Sequence, residues 1–424
     1  MENAKTDPKG NMKSDILIIG SGVIGLACAY ELSKRGASVT VIDKSEPGLG
    51  CSYGNAGWIT PCFALPLPMP GMMLKSIKWL LDPLSPLYIK PEPSLFLLEW
   101  LLKFLQAMHV RTAQRSIAAL TELSKFSLQE YSKISQELGD PFHFTQKGLL
   151  MVGQTQQGVD TAVQEMNLVG ERGIPGKFLS DSEIKSLEPA ITGPLKGGVY
   201  FPSEAHAEPF QVVQALAQGA IRNGVKILSS TEAFDFTQMN GKITSIRTTR
   251  GVIEANQFVL ATGSWSHHLA KRLKLHVPVM GGKGYSMILK SLNPSPQIPI
   301  LIVDKKIAIT PREGTIRLAG TLELVNQDFS INSRRVDAII HGSRQCLNVP
   351  DNPEIIELWR GLRPCTPDGV PIIGYAKSFS NLFVTTGHQM LGLQSAPGTA
   401  RLAADLLTGQ QPIFDPAPFR VDRF

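Results

Sequence analysis

Gly20, Gly22, Gly25 and Asp43 are the residues of this chain whose types and spacing first suggest a chemistry, and that chemistry is dinucleotide binding. In a G-x-G-x-x-G spacing, Gly20 permits a tight turn, Gly22 lets the main chain approach a pyrophosphate, and Gly25 lets a helix pack closely on the preceding strand. Ser21, Val23 and Ile24 complete the loop and open the helix whose N–H groups face the anion. The Asp43 carboxylate can accept hydrogen bonds from both ribose hydroxyls and would repel a 2′-phosphate, which favours an unphosphorylated adenosine. Flavin and nicotinamide cofactors are both open at this point.

The elements that must hold these residues are legible around them. Residues 16–19 form an apolar run of strand length. Ile24, Ala27, Cys28 and Leu32 then follow helical spacing, Gly36 sits where the helix would stop, and 39–42 reads as a second strand ending on Asp43. With 424 residues, 43% hydrophobic and 18% charged, the chain can bury a large core and suits two domains. Five cysteines without a C-x-x-C pair argue against a zinc site and against a disulfide scaffold, and no metal is expected. They suit a reducing compartment, and hence the cytoplasm. Residues 1–14 are polar with no apolar signal core and read as a short flexible leader, with Met12 as an alternative start. The formal charge of +6 is carried by scattered residues, which favours a solvated basic surface over nucleic-acid binding.

The stretch 63–110 departs from the average, with Leu65-Pro66-Leu67-Pro68-Met69-Pro70 and two apolar runs around Trp79 and Trp100. It is too interrupted by charge and proline to span a bilayer. Two readings stay open: helices buried on a substrate domain, or an interfacial patch with tryptophan anchors and flanking lysines resting on a membrane face. Farther on, 118–138 has helical periodicity and 148–152 reads as a short strand. Residues 198–202 lead through Pro209 into a helix over 210–223. Strands follow at 225–228, 243–248 and 252–254. Residues 257–265 read as a buried strand leaving into a small-residue turn, either an ordinary exit or a second pass near the cofactor. The stretch 361–374 is dense in turn formers yet holds one arginine; 382–388 is a strand ending in glycine, and 396–407 a helix.

With these motifs in this order, the chain resembles the FAD-dependent D-amino-acid oxidase and glycine oxidase superfamily, most closely its bacterial D-amino-acid dehydrogenases, over nearly its whole length from Ser14. The supporting motifs are the 20–43 fingerprint, Asn55-Ala56-Gly57 followed by Pro61, Lys283-Gly284-Tyr285-Ser286, and Ile307-Ala308-Ile309-Thr310. Gly361-Leu362-Arg363-Pro364 with Thr366-Pro367-Asp368-Gly369, and Thr386-Gly387-His388 followed by Leu391-Gly392, complete the set.

The resemblance implies an α/β fold, α+β overall. A discontinuous Rossmann-like FAD-binding domain would come from 13–62, 205–265 and 357–424, and a substrate-binding domain with a mainly antiparallel sheet from 63–204 and 266–356. It implies FAD as cofactor, held by the fingerprint and by Lys44, Ser52, Asn55, Ala56, Gly57, Trp58 and Ile59 after it. Ala233, Ala261, Thr262, Gly263 and Trp265 would form the middle of the site, and Gly361, Arg363, Gly387, His388, Leu391, Gly392 and Leu393 its far wall.

The implied reaction is hydride transfer from an amino-acid Cα to the flavin, giving an imine that water converts to a 2-oxo acid and ammonia. The protein's task is then mainly to position the substrate. A planar guanidinium can hold both carboxylate oxygens, and Arg363 occupies the position that does so in related oxidases. The other reading of Arg363 is a structural residue that pairs with Asp368 or caps a loop. Tyr285 is a candidate second carboxylate contact and His388 a residue close to the flavin, though each also reads as a hydrogen-bonded core residue. No dedicated base is expected. Glycine oxidase carries a second arginine where this chain has Gln389-Met390, and the oxidases' sheet tyrosine corresponds to Ile307. Both departures suggest a less polar pocket and an apolar or cyclic substrate such as a proline derivative; Lys305 and Lys306 nearby keep a polar or acidic one open. The nearest-looking relatives imply a quinone-type acceptor, and 63–110 fits peripheral docking on the cytoplasmic face of the inner membrane. An oxygen-using oxidase, a tRNA-modifying flavoprotein and a non-catalytic flavin-binding protein are the other readings.

Overall fold

The computed structural model describes residues 12–70, 87–90 and 94–424. Residues 1–11 of the leader, and 71–86 and 91–93 of the unusual apolar stretch, lie outside the described residues.

The apolar run 16–19 ends the strand Met12–Ile19, which pairs in parallel with Val39–Ile42 on one side and Gly251–Leu260 on the other. Lys226–Leu228 extends the sheet beyond Val39–Ile42. The sequence reads 252–254 and 257–265 as separate elements, but Gly251–Leu260 is one strand. Its first half pairs antiparallel with Lys242–Thr248 and its second half parallel with Leu382–Thr386. Ala233–Met239, which the sequence does not announce, and Ile372–Tyr375 complete the two branches. All of Val39–Ile42 and Leu382–Thr386 is buried, as expected of strands covered on both faces.

The helices Val23–Lys34, Val110–Leu138, Pro209–Arg222 and Gly392–Leu407 share one core with Ile16, Ile18, Val41, Val259 and Phe383 of this sheet. The helix read from 118 begins at Val110, and its Ala119, Leu123, Tyr131 and Ile134 lie in this first core. Gly392–Leu407 begins four residues ahead of the expected 396 and carries Pro397 inside it. Proline leaves the carbonyl four residues earlier without its helical N–H donor. The Tyr131 hydroxyl supplies the replacement, donating to the Leu393 carbonyl at 2.6 Å. Ser127 Oγ accepts from Gly398 N–H at 2.9 Å beside it.

A second sheet runs in the order Ile355–Cys365, Met280–Lys290, Thr315–Val325, Ile307–Arg312, Ile300–Ile302, Leu149–Gly153, Gly197–Phe201, Lys177–Leu179. It is mainly antiparallel. One face packs on the helix Ser333–Arg344 through Met287, Leu289, Ile316, Leu318 and Ile339. The other carries Leu149, Met151, Leu301 and Val303 against Trp58, and Leu322, Leu324 and Cys365 against Trp100. The strand Ile355–Cys365 corrects the turn-rich reading of 361–374, and a division at 357 falls inside it. As an edge strand it tolerates Pro364, which stands opposite Gly281.

Trp100 lies on the helix Leu95–Ala107, whose Trp100, Phe104 and Ala107 are buried. Its opposite face leaves Leu95, Leu98, Leu102 and Leu105 exposed. Among the described residues, no helix is long and apolar enough to cross a membrane.

Candidate functional site

The parallel strands Met12–Ile19, Val39–Ile42, Gly251–Leu260 and Leu382–Thr386 open at their carboxyl ends onto a cavity of about 560 Å³, where open α/β sheets bind their ligands. The glycine loop is shaped as its spacing requires. Gly20 has φ +112°, and a Cβ there would fall 2.5 Å from the Ala261 carbonyl oxygen; one on Gly25 would fall 1.9 Å from the Gly20 oxygen. Gly22 caps the helix Val23–Lys34 without a side chain, and Val23 N–H donates to Ser52 Oγ at 3.0 Å. Asp43 Oδ2 accepts from Ser21 N–H at 2.7 Å and Ser21 Oγ at 2.9 Å, while Oδ1 accepts from Ser45 N–H at 2.9 Å. The acid therefore ties the loop to the second strand while facing the cavity.

Of the expected cofactor residues, Gly20, Gly22, Val23, Ile24, Asp43, Lys44, Ser52, Asn55, Ala233, Ala261, Thr262, Gly263, Trp265, His388, Gly392 and Leu393 line this cavity. The others do not, for local reasons. Ser21 is turned to Asp43, and Gly25 is packed beneath the loop. Asn55 Oδ1 accepts from Gly57 N–H at 2.9 Å, so 55–57 folds on itself. Ala56 gives its carbonyl to Thr310, Trp58 donates to Thr310 Oγ1 at 2.9 Å, and Ile59 is in the core. The space over Gly361 holds the Trp359 ring, Gly387 lies against Thr366, and Leu391 packs with Ala64 and Leu120.

Sequence reasoning missed Gly48, Leu49, Gly50 and Cys51, where the glycine pair was a usable signal, and Thr385 and Thr386, which directly precede an expected residue. It also missed Phe329, which no local pattern announces. Phe329 stacks on Trp265 with ring centroids 5.9 Å apart, and Lys44 Nζ lies 4.0 Å from the centroid of the Trp265 ring. Three buried polar atoms in residues lining the cavity, Ser264 Oγ, Thr385 Oγ1 and Gln389 Nε2, have no partner among the described residues. Such groups are costly unless a ligand or water satisfies them. Together with the glycine cradle, they fit a long polar cofactor such as FAD.

The three substrate candidates have different fates. Arg363 is not itself among the lining residues, but its neighbour Pro364 and Cys51 are, and Cys51 lies within electrostatic reach of it. Arg363 Nη1 donates to the Thr321 carbonyl at 2.8 Å, and no carboxylate among the described residues forms an ion pair with it. Asp368 instead pairs with Arg423 at 2.7 Å, so the structural pairing considered for Arg363 does not form. Burial lowers the guanidinium pKa, and the nearby Cys51 thiol is itself pushed up to about 11 by burial and supplies no counter-charge at neutral pH.

His388 lines the cavity with Nε2 3.1 Å from Thr399 Oγ1, and burial depresses its pKa to about 3, leaving it neutral. Tyr285 is outside the site. It is fully buried in the core beneath Ser333–Arg344, donates to Glu323 Oε1 at 2.7 Å and accepts from Asn332 N–H at 3.1 Å. Ile307 faces that same core, with Cδ1 against Gly342, and Lys306 pairs with Glu165 at 3.6 Å. Ile307 therefore does not face a substrate pocket, and its apolar side chain says nothing for an apolar or cyclic substrate.

Comparison with known proteins gives a consistent picture. The family described as FAD dependent oxidoreductase matches residues 15–406. The D-amino acid dehydrogenase of Granulibacter bethesdensis is 32% identical over 417 residues, spanning 96% of this chain and 99% of that protein. The D-amino acid dehydrogenase of Vibrio atlanticus is 34% identical over 403 residues, 93% and 96% of the two chains. Among solved structures, L-proline dehydrogenase from P. horikoshii superposes with a TM-score of 0.79 at 22% identity, covering 98% of both chains. Glycine oxidase from Geobacillus kaustophilus gives 0.78 at 24% identity, covering 97% of this chain and 99% of its own. At those identities the two structures establish the fold alone.

Proposed function

This chain belongs to the FAD-dependent oxidoreductase family, and from that premise we propose that it is a D-amino-acid dehydrogenase in which Arg363 holds the substrate carboxylate. The observation that carries the assignment is a half-buried guanidinium with one main-chain acceptor and no carboxylate partner among the described residues. An unpaired buried cation is expensive, and a ligand carboxylate offers it a two-toothed, charge-assisted partner. The curated relatives' names give the substrate class.

Bound FAD supplies the hydride acceptor. Arg363 fixes the carboxylate and with it the direction of the Cα–H bond. His388, neutral through burial, adds no positive charge beside the substrate amine. The amine in its neutral form drives the step: hydride leaves Cα, the nitrogen lone pair closes the C=N bond, and water converts the imine to a 2-oxo acid and ammonia. No side chain is required as a base.

The electrons go to a membrane quinone on this reading. Its support is the exposed leucine stripe of the helix Leu95–Ala107, flanked by Lys103 and the exposed Arg111 and Arg115, which suits an anionic bilayer surface.

Anaerobic mixing with D- and L-amino acids tests the proposal. D-isomers should bleach the bound flavin, and Arg363→Ala should raise KM by about a hundredfold or more while flavin content is unchanged. Unchanged kinetics in Arg363→Ala, or bleaching by L-isomers alone, overturns it. Peroxide formed as fast as a quinone analogue is reduced would make the enzyme an oxidase instead.

A further inference from the structure

Thr321 has φ +64°, and it is the only β-branched residue in the left-handed region among the described residues. That conformation is costly for a branched side chain, and glycine or asparagine would hold it more cheaply. The residue sits at a bulge: Lys283 pairs with Glu323 and Tyr285 with Gly320, so Thr321 and Leu322 stand opposite Gly284 alone. Both sides of this irregularity serve one group. The Thr321 carbonyl accepts from Arg363 Nη1 at 2.8 Å. Across from it, a Cβ on Gly284 would lie 2.0 Å from that same nitrogen, so only glycine leaves room for the guanidinium. The Thr321 hydroxyl is buried and has no partner among the described residues. Hydrogen bonding to those residues therefore does not account for a threonine at this strained position.

The geometry points to Thr321 as a second substrate-binding residue, its main chain orienting Arg363 and its hydroxyl donating to the carboxylate of the bound amino acid. The inference rests on the reading of Arg363 as the carboxylate anchor. The bulge explains how one residue does both: it turns the Thr321 carbonyl out of the sheet ladder toward Arg363 and leaves the side chain on the same bend of the strand.

Two variants separate hydroxyl from strain. Thr321→Val keeps the branch without the hydroxyl, and Thr321→Gly removes side chain and strain together. Both should keep their flavin and raise KM for the D-amino acid about ten- to a hundredfold, the worth of one hydrogen bond to a charged group, with a smaller change in kcat. The Kd of benzoate, a simple carboxylate read from the flavin spectrum, should rise in parallel. Thr321→Ser should restore most of the lost affinity. If either Val or Gly binds substrate and benzoate as the parent enzyme does while Arg363→Ala loses both, the role of Thr321 is refuted and the anchor stands. If Arg363→Ala also binds both normally, the anchor reading itself has failed.

Discussion

Glu204 offers a test of the site's electrostatics that does not depend on turnover. It precedes the short strand Ala205–His206, which pairs with Trp58–Ile59 beside the cofactor segment. Its side chain is 1% exposed. Oε1 accepts from Cys62 N–H at 3.4 Å, and Oε2 is buried without a partner. No cation among the described residues offsets this desolvation, and burial raises the carboxyl pKa from 4.5 to about 8. Between those two values the folded protein keeps a proton that the unfolded chain has released. Stability from this group is therefore fully present below about 4.5 and is lost as pH rises through about 8.

At about 1.4 kcal/mol per pH unit, the full loss has an upper bound of about 4 to 5 kcal/mol. Glu204→Gln keeps the shape and an acceptor for Cys62 N–H but cannot ionise, so it should escape the loss. With an unfolding entropy of about 2.1 cal/mol/K per residue, the difference corresponds to about 5 °C in Tm for a chain of 424 residues. Thermal unfolding of the holoenzyme, followed by near-UV circular dichroism at a series of pH values, should show Glu204→Gln gaining on the parent as pH rises. Groups common to both proteins cancel in the comparison. A Tm gap that stays flat from acid to pH 8.5, or one that widens in favour of glutamate, would mean that Glu204 is ionised and paired in the fold, and the reasoning would be wrong.

Two further outcomes follow from the same geometry. Gly25→Ala would place a Cβ 1.9 Å from the Gly20 carbonyl oxygen, and should weaken FAD binding about ten- to a hundredfold as the loop is displaced, measured as flavin absorbance per mole of protein against added FAD. The double variant Leu98→Glu, Leu102→Glu should lose sedimentation with anionic vesicles by about a hundredfold, since each leucine contributes about 1.5 to 3 kcal/mol on burial, while reduction of a soluble acceptor is unaffected. Vesicle binding equal to that of the parent would remove this helix from any membrane contact.

The cofactor half of the site was legible because its signals are local. A strand, three glycines at fixed spacing, a helix and a terminal acid each constrain the chain over a few residues, and all but Gly25, which packs beneath the loop, meet at one cavity. Cavity residues that arrive from elsewhere, such as Phe329 stacked on Trp265, carry no such mark. Pro397 shows the same limit inside an element. A proline ordinarily ends a helix, and only Tyr131, far away in sequence, reveals why this one continues.

The substrate half is less legible for a more specific reason, the bulge at Thr321. Alternation along a strand assigns faces only while the register holds, and one extra residue exchanges them. Before the bulge, Ile316 and Leu318 point to the core under Ser333–Arg344; after it, Leu322 and Leu324 point to the opposite face with Trp100 and Cys365. Glu323 is thereby carried into the far core, where Lys283, Tyr285 and Arg335 meet it. Tyr285, expected from the resemblance as a carboxylate contact, has its hydroxyl taken up there by Glu323 and the Asn332 N–H. Two glycines on the neighbouring strand, Gly282 and Gly284, mark the face that matters instead, because each leaves space that a side chain from Ile355–Cys365 fills. Glycines paired across from an arginine are thus better pointers to the proposed anchor than the polar residues beside them, and the same pattern can be sought wherever an edge strand carries a lone arginine opposite glycine.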